Sequence, residues 1–261
     1  MKKILSLASV LLIALALTAC GKSKESSSDL TQTKDTLTIG LEGTYRPYSY
    51  HDSDNKLTGF EVELGQQLAK KMDLNPKFVE SKWDSLVAGL DANKYDVVLN
   101  NVGVTKERQA KYNFTSPYIY SKSILVVKKD NTSIKTIKDI KGKKMAQTVT
   151  SENGADAKRL GADVVSTDDF SNTISLILDG RADGTINSND AVYSYLKEKP
   201  DTNIKTISTG SEITALKVAG LIQKDNPKLQ KKLDAALKEL RADGSLSKLS
   251  KKYFGSDITN K

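Results

Sequence analysis

Between residues 36 and 41 (TLTIGL) apolar and polar positions alternate, the two-residue period of a strand. From 59 to 72 the period lengthens. Phe60, Leu64, Leu68 and Met72 recur every fourth position and stack into one apolar helical stripe. A short β-prone run at 78–80 follows, then a helix at 84–92 with Leu86, Val87 and Leu90 inward, then a strand at 95–100. This β-α-β-α-β order predicts an α/β layer with a largely parallel sheet. A second series starts with the β-prone run KSILVVK at 122–128. It continues as a short helix within 134–140, a strand at 144–147, a helix at 151–160 and a strand at 164–165. A helix at 171–178 comes next, with Ile174, Leu176, Ile177 and Leu178 apolar, then a strand at 184–187 and a helix at 191–198. A last β-run at 216–222 precedes the terminal helices. Asn226 stands as N-cap before Pro227 at the first helical position. Leu229, Leu233, Leu237 and Leu240 continue that helix as a core stripe, Asp243-Gly244 breaks it, and a final helix runs to Tyr253 before Gly255. The pattern therefore predicts two α/β units, and leaves open whether the last strand returns to the first unit.

The N-terminus has a different logic. MKKILSLASVLLIALALTAC opens with Lys2 and Lys3, continues with an apolar run too short for a comfortable membrane span, and ends in small residues. Leu17-Thr18-Ala19-Cys20 resembles the bacterial lipobox, in which the Cys receives a diacylglyceryl group and the signal is cut just before it. Residues 1–19 are thus expected to be a lipoprotein signal peptide and Cys20 the lipidation site, since multiple acyl chains anchor stably where one does not. Residues 20–34 carry no apolar periodicity and are expected to be a flexible tether.

Composition narrows the function. The chain has 38% hydrophobic and 28% charged residues, a soluble globular balance. Its net charge is +8; without residues 1–19 it loses two lysines and no acid, leaving +6. The lysines are dispersed and no basic run is interleaved with aromatics, so no nucleic-acid partner is expected. The one Cys and one His leave no ligand set for a zinc ion, and neither a metal nor a cofactor is expected. They also exclude a Cys-His nucleophile, because Cys20 belongs to the lipobox. His51 lies in the polar stretch HDSDNK and is expected in an exposed loop.

Five stretches then share one resemblance: GLEGTYRPYSY with GFEVEL downstream, KWDSLVAGLDANKYDVV, NNVGVTKERQAKYNFTSPY, and GSLSKLSKKYFG near the end. Together with the lipobox they resemble the family 3 extracellular solute-binding proteins of polar amino acid ABC importers. They look most like the Gram-positive L-cystine-binding branch. The resemblance implies a two-lobe, type II periplasmic-binding-protein-like fold with two hinge crossovers, near 118–123 and 215–219. Residues 35–120 and 220–261 would form lobe one and 121–218 lobe two, with ligand between them. It implies a monomer that delivers a polar amino acid to permease and ATPase subunits from the extracellular face of the membrane.

The same resemblance assigns site residues. Arg108 stands at the family position for the ligand carboxylate, whose geometry suits a planar guanidinium fork. At the start of a helix, the free backbone N–H groups and the Ser151 hydroxyl would hold the same carboxylate from the other side, although Ser151 also reads as an N-cap. Tyr45 and Trp83 match aromatic positions that sandwich the ligand side chain; Glu42 matches one that reaches its distal end or its amine. Gly103 and Ser188 depart from the Thr and Asp that many relatives carry for the ammonium, which leaves the Asn101 carbonyl, Glu42 or a water for that role. Other readings are another polar ligand such as glutamine or a basic amino acid, an added adhesin role for the basic surface, and a dehydratase-like enzyme. An enzyme would need Glu42 as its acid or base, and the reading here is a binding protein.

Overall fold

The computed structural model describes residues 30–260. The expected signal peptide, Cys20 and most of the expected tether lie outside these residues. The tether ends earlier than expected. Leu30 packs on the core and Thr31 is buried, while the Gln32 N–H donates to Asp96 Oδ1 (2.8 Å). Buried Asp96 also accepts from the Thr38 N–H (2.7 Å), so one carboxylate ties this entry segment to the first strand.

Lobe one begins with β1 (Thr36–Leu41) and a small antiparallel sheet of β2 (Thr44–Tyr45), β3 (Ser49–His51) and β4 (Leu57–Thr58). It continues with α1 (Phe60–Lys71), β5 (Asn75–Glu80), α2 (Trp83–Asp91), β6 (Val97–Val98), α3 (Lys106–Lys111) and β7 (Tyr112–Phe114). His51 ends β3 half-buried, with Nε2 3.4 Å from Glu80 Oε1, rather than in an exposed loop. Strand β8 (Ile119–Ser121) leads out of the lobe.

Lobe two contains β9 (Ser123–Lys128), a 3-10 turn (Ile137–Ile140), β10 (Lys144–Gln147), α4 (Glu152–Arg159) and β11 (Asp163–Ser166). Then come α5 (Phe170–Leu178), β12 (Gly184–Ser188), α6 (Asn189–Glu198) and β13 (Ile204–Ser208). The chain returns through β14 (Leu216–Val218) to β15 (Leu221–Gln223), α7 (Pro227–Ala242) and α8 (Ser245–Phe254).

The sheet of lobe one has the order β5-β1-β6-β15-β7, and that of lobe two β11-β10-β12-β9-β13. Between them, β8 and β14 form a two-stranded antiparallel ribbon with Ile119 opposite Val218. The β-run at 216–222 is therefore two strands. Its central Ala219 and Gly220 donate N–H groups to the Val102 carbonyl and Thr115 Oγ1, which turns the chain from ribbon to sheet. That strand enters lobe one between β6 and β7, and the question left open by the sequence is closed. Pro76 falls within β5, at the sheet edge where a missing N–H is tolerated.

Both faces of each sheet are covered. In lobe one, Leu37, Ile39 and Leu64 meet Leu229, Leu233 and Leu237 on one side, while Val98, Leu86 and Leu90 pack on the other. In lobe two, Ile174 and Ile177 lie on one side, and Met145, Ala157 and Ile186 on the other. Each fully buried aliphatic side chain contributes about 1.5–3 kcal/mol, so each lobe has a core of its own to hold its strand ends rigid.

Candidate functional site

Parallel strands all end at one edge of a sheet, and ligands of open α/β sheets lie beyond that edge. β1 and β6 run parallel, so Glu42 and the pair Asn100-Asn101 emerge together. β10 and β12 also run parallel and bring out Gln147 and Asn187-Ser188. The two edges face each other across a cavity of about 80 Å³. Glu42, Tyr45, Trp83, Asn101, Gly103 and Arg108 line it from lobe one, Ser151 and Ser188 from lobe two. All eight residues singled out in the sequence thus meet in one place.

Asn101 turns the chain at the cleft floor with φ 48°, a left-handed conformation that Asn tolerates better than most residues. Its N–H donates to Glu61 Oε1 (2.6 Å). Beyond it, residues 102–104 are stitched to the returning strand, with the Val104 N–H on the Lys217 carbonyl (2.8 Å). Gly103 stands in this stitched segment. A Cβ on it would lie 3.2 Å from both Glu152 Cγ and Leu216 Cδ2. Where the family resemblance implies a threonine hydroxyl, this chain places the side chain of Glu152 instead.

Arg108 lies in α3, whose N-cap Thr105 accepts the Arg108 N–H (3.1 Å). Its side chain is 12% exposed. Nη1 donates to the Gly103 carbonyl (3.0 Å) and Nη2 to the Thr150 carbonyl of lobe two (3.2 Å). Glu152 Oε1 is 3.4 Å from Nη1, and the guanidinium carbon is 5.5 Å from the Trp83 ring centroid. Burial pulls the Arg108 pKa down, opposed by Glu152, and it pushes that of Glu152 up. A guanidinium has five N–H donors; the two carbonyls leave it capacity for a carboxylate. At the start of α4, Ser151 accepts the Gly154 N–H (3.0 Å) and donates to the Thr148 carbonyl (2.7 Å). Its hydroxyl is an N-cap, so α4 offers a carboxylate its first backbone N–H groups.

Glu42 is held reciprocally by Asn100, which accepts its N–H (2.8 Å) and donates Nδ2 to Oε2 (2.7 Å). Burial raises its pKa to about 7, with Asp169 and Asp84 adding to the rise. Behind the floor, fully buried Glu61 accepts the Tyr118 hydroxyl (2.5 Å) as well as the Asn101 N–H, and burial raises it to about 7 too. Tyr118 is the residue before the ribbon, so Glu61 links cleft floor to crossing.

The lobes also bond directly. The Tyr45 hydroxyl donates to Asn187 Oδ1 (2.6 Å), and the Tyr45 ring stacks on Tyr48 at 5.1 Å. The Tyr48 hydroxyl is 3.0 Å from Ser188 Oγ, which is 3.0 Å from Ser121 Oγ. Asp190 Oδ2 accepts from Ser121 Oγ (2.8 Å) and Ser188 Oγ (3.3 Å). The Ser188 hydroxyl is thus buried in a relay between lobe one, the ribbon and α6. Thr150 Oγ1 donates to Asp84 Oδ1 (2.5 Å), and Lys82 pairs with Asp168 (2.6 Å) at the rim.

Sequence reasoning missed Gln147, Asn187, Glu152 and Glu61. Gln147 and Asn187 were legible as polar residues ending apolar strands. Glu61 was legible as an acid one position after Phe60, at helical spacing with Gly65 and Leu68 on the inner face.

Residues 37–256 match the bacterial extracellular solute-binding proteins, family 3. The L-cystine-binding protein TcyA of Bacillus subtilis is 39% identical over 269 residues, covering 99% of this chain and 99% of that protein. An ancestral arginine-binding protein bound to arginine superposes with a TM-score of 0.80 at 30% identity, over 85% of this chain and 99% of that one. The L-cystine solute receptor of Neisseria gonorrhoeae, in its unliganded open conformation, has 41% identity but a TM-score of 0.59, over 87% of this chain and 95% of that one. Two facing sheets, a crossing ribbon and an arginine in the cleft between them accord with this likeness along the chain, which belongs to the bacterial extracellular solute-binding proteins, family 3.

Proposed function

We propose that this protein is a lipid-anchored receptor on the extracellular face of the cell membrane that captures a polar amino acid, L-cystine, and presents it to the permease and ATPase subunits of an ABC importer. The observation that carries the reading is the buried Arg108 guanidinium under the Trp83 ring, in a cavity walled by both lobes. A carboxylate there meets a fixed fork of donors and the start of α4 in a site that excludes water, where charge-assisted hydrogen bonds are strong. Glu42, Glu152 and Asp169 are the carboxylates of the cavity wall that suit an ammonium. The choice of L-cystine rests on the end-to-end likeness to TcyA.

The bonds from Tyr45 to Asn187 and from Arg108 to Thr150 support a closed arrangement of the lobes. So does the higher TM-score to a liganded protein than to an open one of greater identity. A ligand that touches both lobes shifts the open–closed equilibrium by its differential affinity for the closed state. The permease then receives one shape only when the receptor is loaded. Lipidation at Cys20 keeps that shape at the membrane.

A second reading has one observation in its favour. Glu42 and Asp169 both line the cavity, and Asp169 adds to the rise of the Glu42 pKa, so this end of the cavity favours a cationic side chain. A thermal-shift screen of the fragment from Gly21 against all amino acids plus L-cystine separates the two, because specific binding raises the melting temperature by mass action. The largest shift is expected with L-cystine. Shifts confined to arginine and lysine would replace the first reading with the second.

A further inference from the structure

Gln147 ends β10 and is 3% exposed. It lines the interlobe cavity, yet its side-chain Nε2 has no hydrogen-bond partner among the described residues. Its backbone is satisfied, since the carbonyl accepts the Thr167 N–H; the unmet demand belongs to the side chain. Across the cavity Asn101 Oδ1 also lacks a partner among the described residues, while three polar groups of the nearby wall are committed. Asn187 accepts the Tyr45 hydroxyl, Thr173 donates to the Asp169 carbonyl, and Ser188 joins the Tyr48 relay. A buried amide without a partner is costly, and native interiors rarely leave one. Apart from Glu152, Asp169 and Phe170, the lobe-two wall carries neutral amides and hydroxyls: Thr148, Thr173, Thr185 and Asn187 share the cavity with it.

We propose that Gln147 is a specificity-determining, ligand-binding residue: its Nε2 donates a hydrogen bond to a second polar group of the ligand, distinct from the carboxylate taken by Arg108, and that group supplies an acceptor. An amide presents two donors and one acceptor. The unpaired atom is the Nε2 donor, so its complement is an acceptor such as the carboxylate of an amino-acid head, and an aliphatic ligand end leaves it buried and unpaired. Sites built to hydrogen-bond a ligand group reject analogues that lack it far more strongly than apolar pockets reject a missing methylene. The inference rests on the L-cystine reading above, whose second amino-acid head is such a group. It deepens that reading by assigning the head to lobe two, so that the doubly headed ligand bridges the lobes.

The test pairs two ligands with three proteins, by titration calorimetry. L-cystine carries two amino-acid heads, and S-methyl-L-cysteine carries one on a similar sulfur chain. Gln147→Leu keeps the volume and removes the amide; Gln147→Glu keeps the shape and adds a charge that repels a carboxylate. Both are expected to weaken L-cystine binding by about tenfold to a hundredfold and S-methyl-L-cysteine binding by less than threefold. Equal weakening of both ligands, or of neither, overturns the proposal while leaving the L-cystine reading intact. If the wild-type protein does not bind L-cystine, that reading fails first and the assignment of the second head falls with it. Should Gln147→Leu not fold, judged by its melting transition, Gln147→Glu alone decides the same comparison.

Discussion

The two walls of the cleft are built from different chemistry. Lobe one supplies the charge and the aromatic rings: Arg108, Glu42, Trp83 and Tyr45, with Glu61 buried behind them. Apart from Glu152 and Asp169, lobe two supplies neutral amides, hydroxyls and helix starts: Gln147, Thr173, Thr185, Asn187, Ser188 and the first turn of α4. Charges need a preorganised environment that is expensive to assemble twice. Neutral hydrogen-bonding groups cost less to expose, so they suit a wall that, on the proposed function, opens and closes. On this view lobe one grips the ligand before closure, and lobe two reads its remaining polar groups and latches.

The largest expected effect tests the grip. Arg108→Ala removes the proposed partner of the ligand carboxylate in a buried site and should weaken amino acid binding at least a hundredfold, with little change in melting temperature. Calorimetry on the folded variant checks this. Near-wild-type affinity would move the clamp elsewhere and erase the asymmetry between the walls.

The buried acids come next. Glu42 and Glu61 both have folded pKa values raised to about 7 by burial, from an ordinary 4.5. The native state then holds protons that the unfolded chain releases, so their contribution is fully present below pH 4.5 and is lost as pH rises through 7. Glu61→Gln keeps an acceptor for the Asn101 N–H and the Tyr118 hydroxyl but does not titrate. Its urea midpoint should exceed that of the wild type at pH 8, and its decline between pH 5 and pH 8 should be shallower. An unchanged slope would show that Glu61 carries no such load.

The smallest effects concern the latch. Tyr45→Phe deletes the 2.6 Å bond to Asn187 but keeps the stacking on Tyr48, and should raise the ligand off-rate about three- to tenfold. Lys82→Ala removes a rim ion pair between exposed side chains and should change affinity less than twofold. Stopped-flow fluorescence of Trp83 can follow both. If the rim pair mattered more than the buried bond, closure would be governed by surface charge.

Much of this was legible in the chain. Apolar helical stripes and β-prone runs located most helices and strands, because helices bury one face while strands covered on both faces read as apolar runs. The leucine stripe of α7, the cap at Asn226 and the break at Gly244 were readable locally. The site residues of lobe one were quoted by their motifs. α3 and β7 were not legible because six and three residues show no period, and β13 was not because its alternation is weak and its pairing partner lies far away in sequence.

What the sequence determined by itself was what each local stretch can bury: the α/β pattern, the helix ends and the residue types able to meet a zwitterion. What only the tertiary structure decided was which polar groups were already spent. Ser151 is committed as an N-cap and Ser188 to a relay, Glu152 fills the space above Gly103, and the Gln147 amide is left unpaired. A hydrogen bond joins partners that folding brings together from 40 or 140 positions apart, and spacing along the chain carries no record of it.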